Sequence, residues 1–226
     1  MAPKPRQERI VTLAKLTART RVRTERGVLR TGKPLFRGLA GDVVAAFING
    51  QTQLIPIDFL DELTGALTPI VTRAFVDVAE AVSELYDIES VVSTRTMLSE
   101  FVGRTEGVLE NRRVRMEIVL DKYQRGDLTQ EQAEQALGKI ADNDPALQRY
   151  AKTETTIITN QGTMDAAVEG GFTHVLLADG SECGLRTHDD SDRVDGTTRT
   201  ISVFRQYTLA HPNCQRRAVE YLKGTD

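Results

Sequence analysis

From about residue 57 the apolar residues recur at helical spacing. Leu60, Leu63, Leu67, Val71, Ala74, Phe75, Val78, Val82 and Leu85 mark one face of a long amphipathic helix. Pro56 suits a start near Ile57, and Pro69, which removes a backbone donor and crowds the preceding turn, should kink or divide the helix. A second long helix follows, with Leu98, Phe101, Val102, Val108, Leu109, Met116, Val119, Leu120 and Tyr123 inward and Arg104, Glu106, Glu110, Arg113 and Arg115 toward solvent. Gly126 closes it. Thr129 and Gln132 form a T-x-x-Q capping box, flanked by Leu128 and Ala133 as a hydrophobic staple, and open a short helix that buries Ala136, Leu137 and Ile140. Asp144-Pro145 starts another, running through Leu147 and Ala151 to Val168 before Gly170-Gly171 ends it.

After Gly171 the period changes from helix to strand. Thr173 to Ala178 reads as one β-type run ending at the Asp179-Gly180 turn, and Thr197 to Phe204 as a second after the Asp195-Gly196 turn. The pattern therefore predicts a mainly α-helical protein with a small C-terminal α+β module, long amphipathic helices followed by short strands and loops. That module has too few apolar residues for a generous core of its own, so it must pack on the helices or be stapled. Apolar stripes of this kind can serve as a coiled-coil seam, but they more often face a core, and here they indicate a helical scaffold. No internal repeat of solenoid period is present.

Composition bounds this picture. The chain has 226 residues, 40% hydrophobic and 27% charged, which suits a soluble globular protein of one domain or two small ones. Its best apolar runs, Val43 to Ile48 and Val175 to Ala178, fall far short of the ~20 residues that span a bilayer, so no membrane partner is expected. Trp is absent, which disfavours an extensive base-stacking platform. Two cysteines without a secretion signal point to a reducing cytosol.

Charge is distributed unevenly. Residues 1–40 hold 11 Lys and Arg against 2 Asp and Glu, net +9, and since the whole chain is −3 the remainder carries −12. Residues 1–40 are accordingly read as a basic, partly extended N-terminal arm, 41–147 as a helical scaffold and 148–226 as the C-terminal module. Arg19, Arg21, Arg23, Arg26 and Arg30 are its candidate contacts to double-stranded DNA or an acidic protein surface. A solvated tail explains the same residues equally well. No helix-turn-helix or zinc-finger pattern supplies sequence readout.

Both cysteines and two of the three histidines fall in the C-terminal module, as Cys183-x4-His188 and His211-x2-Cys214 with 22 residues between. Two thiolates and two imidazoles in tetrahedral array suit a structural zinc ion. The plainer account has Cys183 and Cys214 as small buried residues and His188 and His211 bonded to turn backbone. His174 reads as an ordinary strand residue. Asp189, Asp190, Asp192 and Asp195 break calcium-loop spacing and read as solvated turn carboxylates. A metal-dependent nuclease or phosphodiesterase would use His188 or His211 as base and Asp189 or Asp190 on the metal, but no phosphate-binding motif accompanies them. Nucleophile-elbow, P-loop and dinucleotide motifs are absent. No catalytic residue is assigned.

The order of the short motifs resembles a known family. Ala151-Lys152-Thr153-Glu154, Asn160, Asp179-Gly180-Ser181-Glu182-Cys183-Gly184, His188-Asp189-Asp190, Asp195-Gly196 and His211-Pro212-Asn213-Cys214-Gln215-Arg216 resemble the C-terminal module of Mu F type phage minor head proteins, in the form found in phages of actinobacteria. The resemblance covers residues 148–217 and rests on Glu154, Asn160, Asp179, Gly180, Asp189, Asp190, Asp195, Gly196, Pro212 and Arg216. It implies a structural, non-catalytic, low-copy head protein at the portal vertex, acting in head morphogenesis or DNA packaging. Its partners would be the portal protein, the major capsid protein and packaged double-stranded DNA, in the virion and, during assembly, the host cytoplasm. Many relatives close the module with C-R-C, whereas this chain has Cys214-Gln215-Arg216, so a metal site here would have to use His188 and His211. The nuclease and a non-catalytic DNA-binding protein using the basic arm are the alternatives.

Overall fold

The longest helix lies where an extended arm was expected. The computed structural model describes residues 5–89, 91–179, 194–209, 214 and 216–224, and in it α1 runs unbroken over Arg6–Ile48. Its inner face is Leu13, Thr17, Thr20, Thr24, Val28, Phe36, Leu39 and Val43, all buried. The three threonines hide this stripe from a polarity pattern. Thr17 Oγ1 donates to the Leu13 carbonyl at 2.9 Å and Thr24 Oγ1 to the Thr20 carbonyl at 2.8 Å, so each hydroxyl is satisfied inside its own helix and its methyl is left to pack.

The remaining elements are α2 (Phe59–Tyr86), α3 (Thr94–Gln124), α4 (Gln130–Ala141), α5 (Asp144–Glu169), β1 (His174–Ala178), β2 (Thr198–Thr200), α6 (Ile201–Gln206) and β3 (Arg217–Leu222). The architecture is mainly helical with a small C-terminal sheet, as the sequence pattern predicts. Leu63, Leu67, Val71, Ala74, Phe75, Val78, Val82 and Leu85 are all buried on α2, and Pro69 does not divide that helix. The capping box at Thr129 and Gln132 is formed in both directions. On α3 the inner face differs from the expected one: Val102 and Tyr123 are exposed, while Thr105 and Arg112 are buried beside Phe101, Leu109 and Met116.

The chain forms two compact units, Met1–Gly27 with Ile70–Met97 and Arg149–Asp226, and Val28–Pro69 with Leu98–Gln148. These do not follow the consecutive segments 1–40, 41–147 and 148–226, because α1, α2, α3 and α5 each contribute residues to both units. In the second unit Phe36 meets Phe59 edge-on at 5.6 Å, and the Arg112 guanidinium lies 3.8 Å over the Phe36 ring. Arg112 also donates to the Ala141 carbonyl at the end of α4, at 3.0 Å.

The first unit holds the sheet. Its strands lie in the order β2-β1-β3, both pairings antiparallel, with a register shift in the β1·β3 ladder between Leu176 and Leu177. Val175, Leu177, Ala218 and Tyr221 from the strands share one core with Leu13, Val82, Leu85, Met164, Ala167, Ile201 and Phe204, so the module does pack on helices. The expected strand over 197–204 stops at Thr200, whose hydroxyl accepts from Val203 N at 3.3 Å and caps α6 instead. β3 comes from a segment not anticipated as a strand. Its open edge is guarded: the Tyr221 N–H donates to Tyr86 Oη at 2.8 Å. Gly162 sets the approach of α5 to α2, since a Cβ there would stand 2.5 Å from the Phe75 carbonyl oxygen.

Candidate functional site

Residues of the motif series meet at the C-terminal end of β1. That strand ends at Ala178 and delivers Asp179, whose N–H donates to Asp195 Oδ1 at 2.6 Å. Asp195 opens the turn back into β2. Gly196, at φ +72°, takes the left-handed conformation that favours glycine, and its N–H donates to the Leu177 carbonyl at 2.9 Å.

Arg216 enters the same place from the start of β3. Its side chain is fully buried, as is that of Asp179, and Nε donates to Asp179 Oδ2 at 2.7 Å. Nη1 donates to the Tyr207 carbonyl at 2.6 Å, just after α6. The Arg216 carbonyl accepts from Asn160 Nδ2 at 2.8 Å, which ties the cluster to α5. The buried Cys214 thiol donates to Asp179 Oδ1 at 3.6 Å. A buried ion pair holds its geometry only when its hydrogen-bonding capacity is also met. Here each carboxylate oxygen has a donor and the guanidinium has both an anion and a carbonyl.

Asn160, Asp179, Asp195, Gly196, Cys214 and Arg216 thus come together in one clasp. Glu154 is buried on α5, the helix that supplies Asn160. Gly180, Asp189, Asp190 and Pro212, and the metal candidates Cys183, His188 and His211, lie outside the described residues. Among the described residues no group of three His, Cys, Asp or Glu is arranged to hold a metal ion.

The candidate contact arginines all lie on α1. Arg19, Arg23, Arg26 and Arg30 are exposed, and Arg23 pairs with Asp77 on α2. Arg21 differs. It is half-buried, and burial, with a further contribution from nearby Arg217, holds its guanidinium below the ordinary value.

Two polar links were not foreseen. The buried Glu220 carboxylate on β3 accepts from Arg6 Nε at 2.9 Å, binding the beginning of α1 to the last strand. Its signal was a lone acid in the apolar run Arg217–Leu222. Tyr221 Oη donates to Thr163 Oγ1 at 2.7 Å, and burial raises the Tyr221 phenol far above its usual range. Comparison of the chain with protein-family models, curated proteins and solved structures gives no match.

Proposed function

We propose that this chain is a structural minor head protein of a tailed phage, associated with the portal vertex and acting in head morphogenesis or DNA packaging. The observation that supports it is the convergence of Asn160, Asp179, Cys214 and Arg216 from the motif series on one buried cluster, with Asp195 and Gly196 at its exposed rim. Asn160 and Arg216 stand 56 positions apart and share a hydrogen bond, with Asp179 and Asp195 joined to the same cluster. Side chains that neutralise and bond one another in the interior, as those of Asp179 and Arg216 do, maintain shape, which is the role the resemblance implies. The portal and the major capsid protein are the proposed partners, with packaged DNA or an acidic protein surface near the exposed arginines of α1. The proposed locations are the assembling host cytoplasm and the finished virion.

A structural zinc ion belongs to the same proposal, with Cys183, His188, His211 and Cys214 as its ligands. Cys214 is buried and its thiol donates to the Asp179 carboxylate, so as a zinc ligand it would give up that proton and exchange this hydrogen bond for the metal. Elemental analysis of protein purified without added metal tests it: about one zinc per chain is expected, and a content near zero in folded protein removes the ion.

The functional proposal is tested by examining whether a portal gene lies beside this gene, and by coexpression with the portal protein, followed by co-purification and by probing purified heads for the chain. Recovery with the portal and in heads is the expected outcome. Failure of both refutes it.

A further inference from the structure

The first unit carries a surface groove of about 500 Å³ between α1 and α2. The two helices run antiparallel there, as Arg23 meets Asp77 at one end and the Arg9 guanidinium lies over Tyr86 at the other. Thr12, Leu16, Thr20 and Ala81 help line the groove with small or apolar surface. Its two banks carry opposite charge: Lys15, Arg19 and Arg23 on α1, and Asp77, Glu80 and Glu84 on α2. Arg23 and Asp77 close on each other. Lys15, Arg19, Glu80 and Glu84 are exposed and make no ion pair among the described residues, although opposite charges face each other across the groove.

That arrangement discriminates between partners. A phosphate backbone approaching Arg19 and Lys15 also meets Glu80 and Glu84, whose repulsion offsets much of the attraction. A polypeptide helix with an acidic flank and a basic flank satisfies both rows at once, and two antiparallel helices present the kind of seam in which a third can lie. The groove spans Thr12 to Arg23, roughly 17 Å of helix axis at 1.5 Å per residue, or about three turns of such a partner. We infer that this groove docks a helix of another protein that carries acidic and basic residues on opposite flanks, its acidic side against Lys15 and Arg19 and its basic side against Glu80 and Glu84. The inference goes beyond the head-protein proposal and does not depend on it.

The test is a chemical-shift titration of the isotope-labelled full chain with three amidated helical peptides of equal length and with a 20-base-pair duplex DNA. One peptide carries a Glu row and a Lys row on opposite flanks, one carries Glu only and one Lys only. The two-signed peptide is expected to shift the resonances of groove residues and to bind about fivefold or more tightly than either single-signed one, as several exposed ion pairs of modest strength allow. Both Arg19→Glu and Glu84→Lys are expected to weaken it by a factor of about three or more. These are exposed positions, so the fold is retained. The sign of the Glu84→Lys effect separates the partner classes: a protein helix loses affinity, whereas DNA gains it. Binding of DNA in the groove strengthened by Glu84→Lys overturns the inference, and so does equal affinity for the three peptides or the absence of any groove shift.

Discussion

Arg216 and Asp179 show how much rests on single residues in this molecule. Removing one partner leaves the other charged and buried, a change that typically costs about 3–5 kcal/mol, whereas an apolar pair of similar volume is often tolerated. Asp179→Asn and Arg216→Met are therefore each expected to lower the urea midpoint strongly, and Asp179→Leu combined with Arg216→Met to recover a substantial part of that loss. Equal midpoints for the single variants and the wild type would show that the clasp carries no stability. Tyr221 supplies a pH dependence. Its phenol is raised in the folded state from the ordinary 10.0 by burial, so the stability it contributes is intact below pH 10 and is lost as the pH climbs above that value, where the unfolded chain ionises first. Alkaline unfolding of Tyr221→Phe, followed by circular dichroism, should show a shallower fall of stability above pH 10 than the wild type.

At the scale of elements, helices declared themselves where the apolar stripe is made of aliphatic and aromatic residues. The inner face of α2 was legible almost position by position, and the start of α4 was legible from its cap. α1 was not, because Thr17, Thr20 and Thr24 occupy its inner face and count as polar, although the Thr17 and Thr24 hydroxyls are satisfied by the helix's own carbonyls. The second expected strand was shortened by the same residue type, as Thr200 turns from extended chain to helix cap. Thr24→Val is predicted to change stability by less than about 1 kcal/mol, since the hydroxyl it removes bonds only within the helix and the methyl that packs is kept. Thr24→Ser, which keeps the hydroxyl and deletes the methyl, should cost more, about 1 kcal/mol. Gly162→Ala on α5 is the contrasting case. The added carbon meets the Phe75 backbone oxygen, which cannot rotate away, and a loss of about 1–3 kcal/mol is expected in thermal or urea unfolding.

At the scale of the molecule, the sequence disclosed the members of the clasp as an ordered series but not their meeting. Neither spacing nor residue type says that Asn160 reaches the carbonyl of Arg216, or that the Tyr207 carbonyl completes the guanidinium's partners. The Arg6 to Glu220 contact joins residues 214 positions apart, and the lone acid in the last strand does not say which residue pairs with it. Deleting residues 1–9 removes Arg6 and Arg9 and strands the Glu220 carboxylate in the interior. Because Arg6 itself is 66% exposed, the expected loss is moderate, about 1–2 kcal/mol, measured by urea unfolding. Glu220→Gln in the truncated chain should restore part of it.

The same connectivity dictates an order of events during synthesis. The first unit joins Met1–Gly27 and Ile70–Met97 to Arg149–Asp226, so the opening helix of the chain has some of its partners at the far end of translation. At about 5–20 residues per second a ribosome takes on the order of ten seconds or more to deliver them. Through that interval Leu13 has Ala79, Val82 and Leu85 of α2 as core partners but none of the C-terminal core to cover it. The second unit, complete at Gln148, has all its residues available before the first unit does.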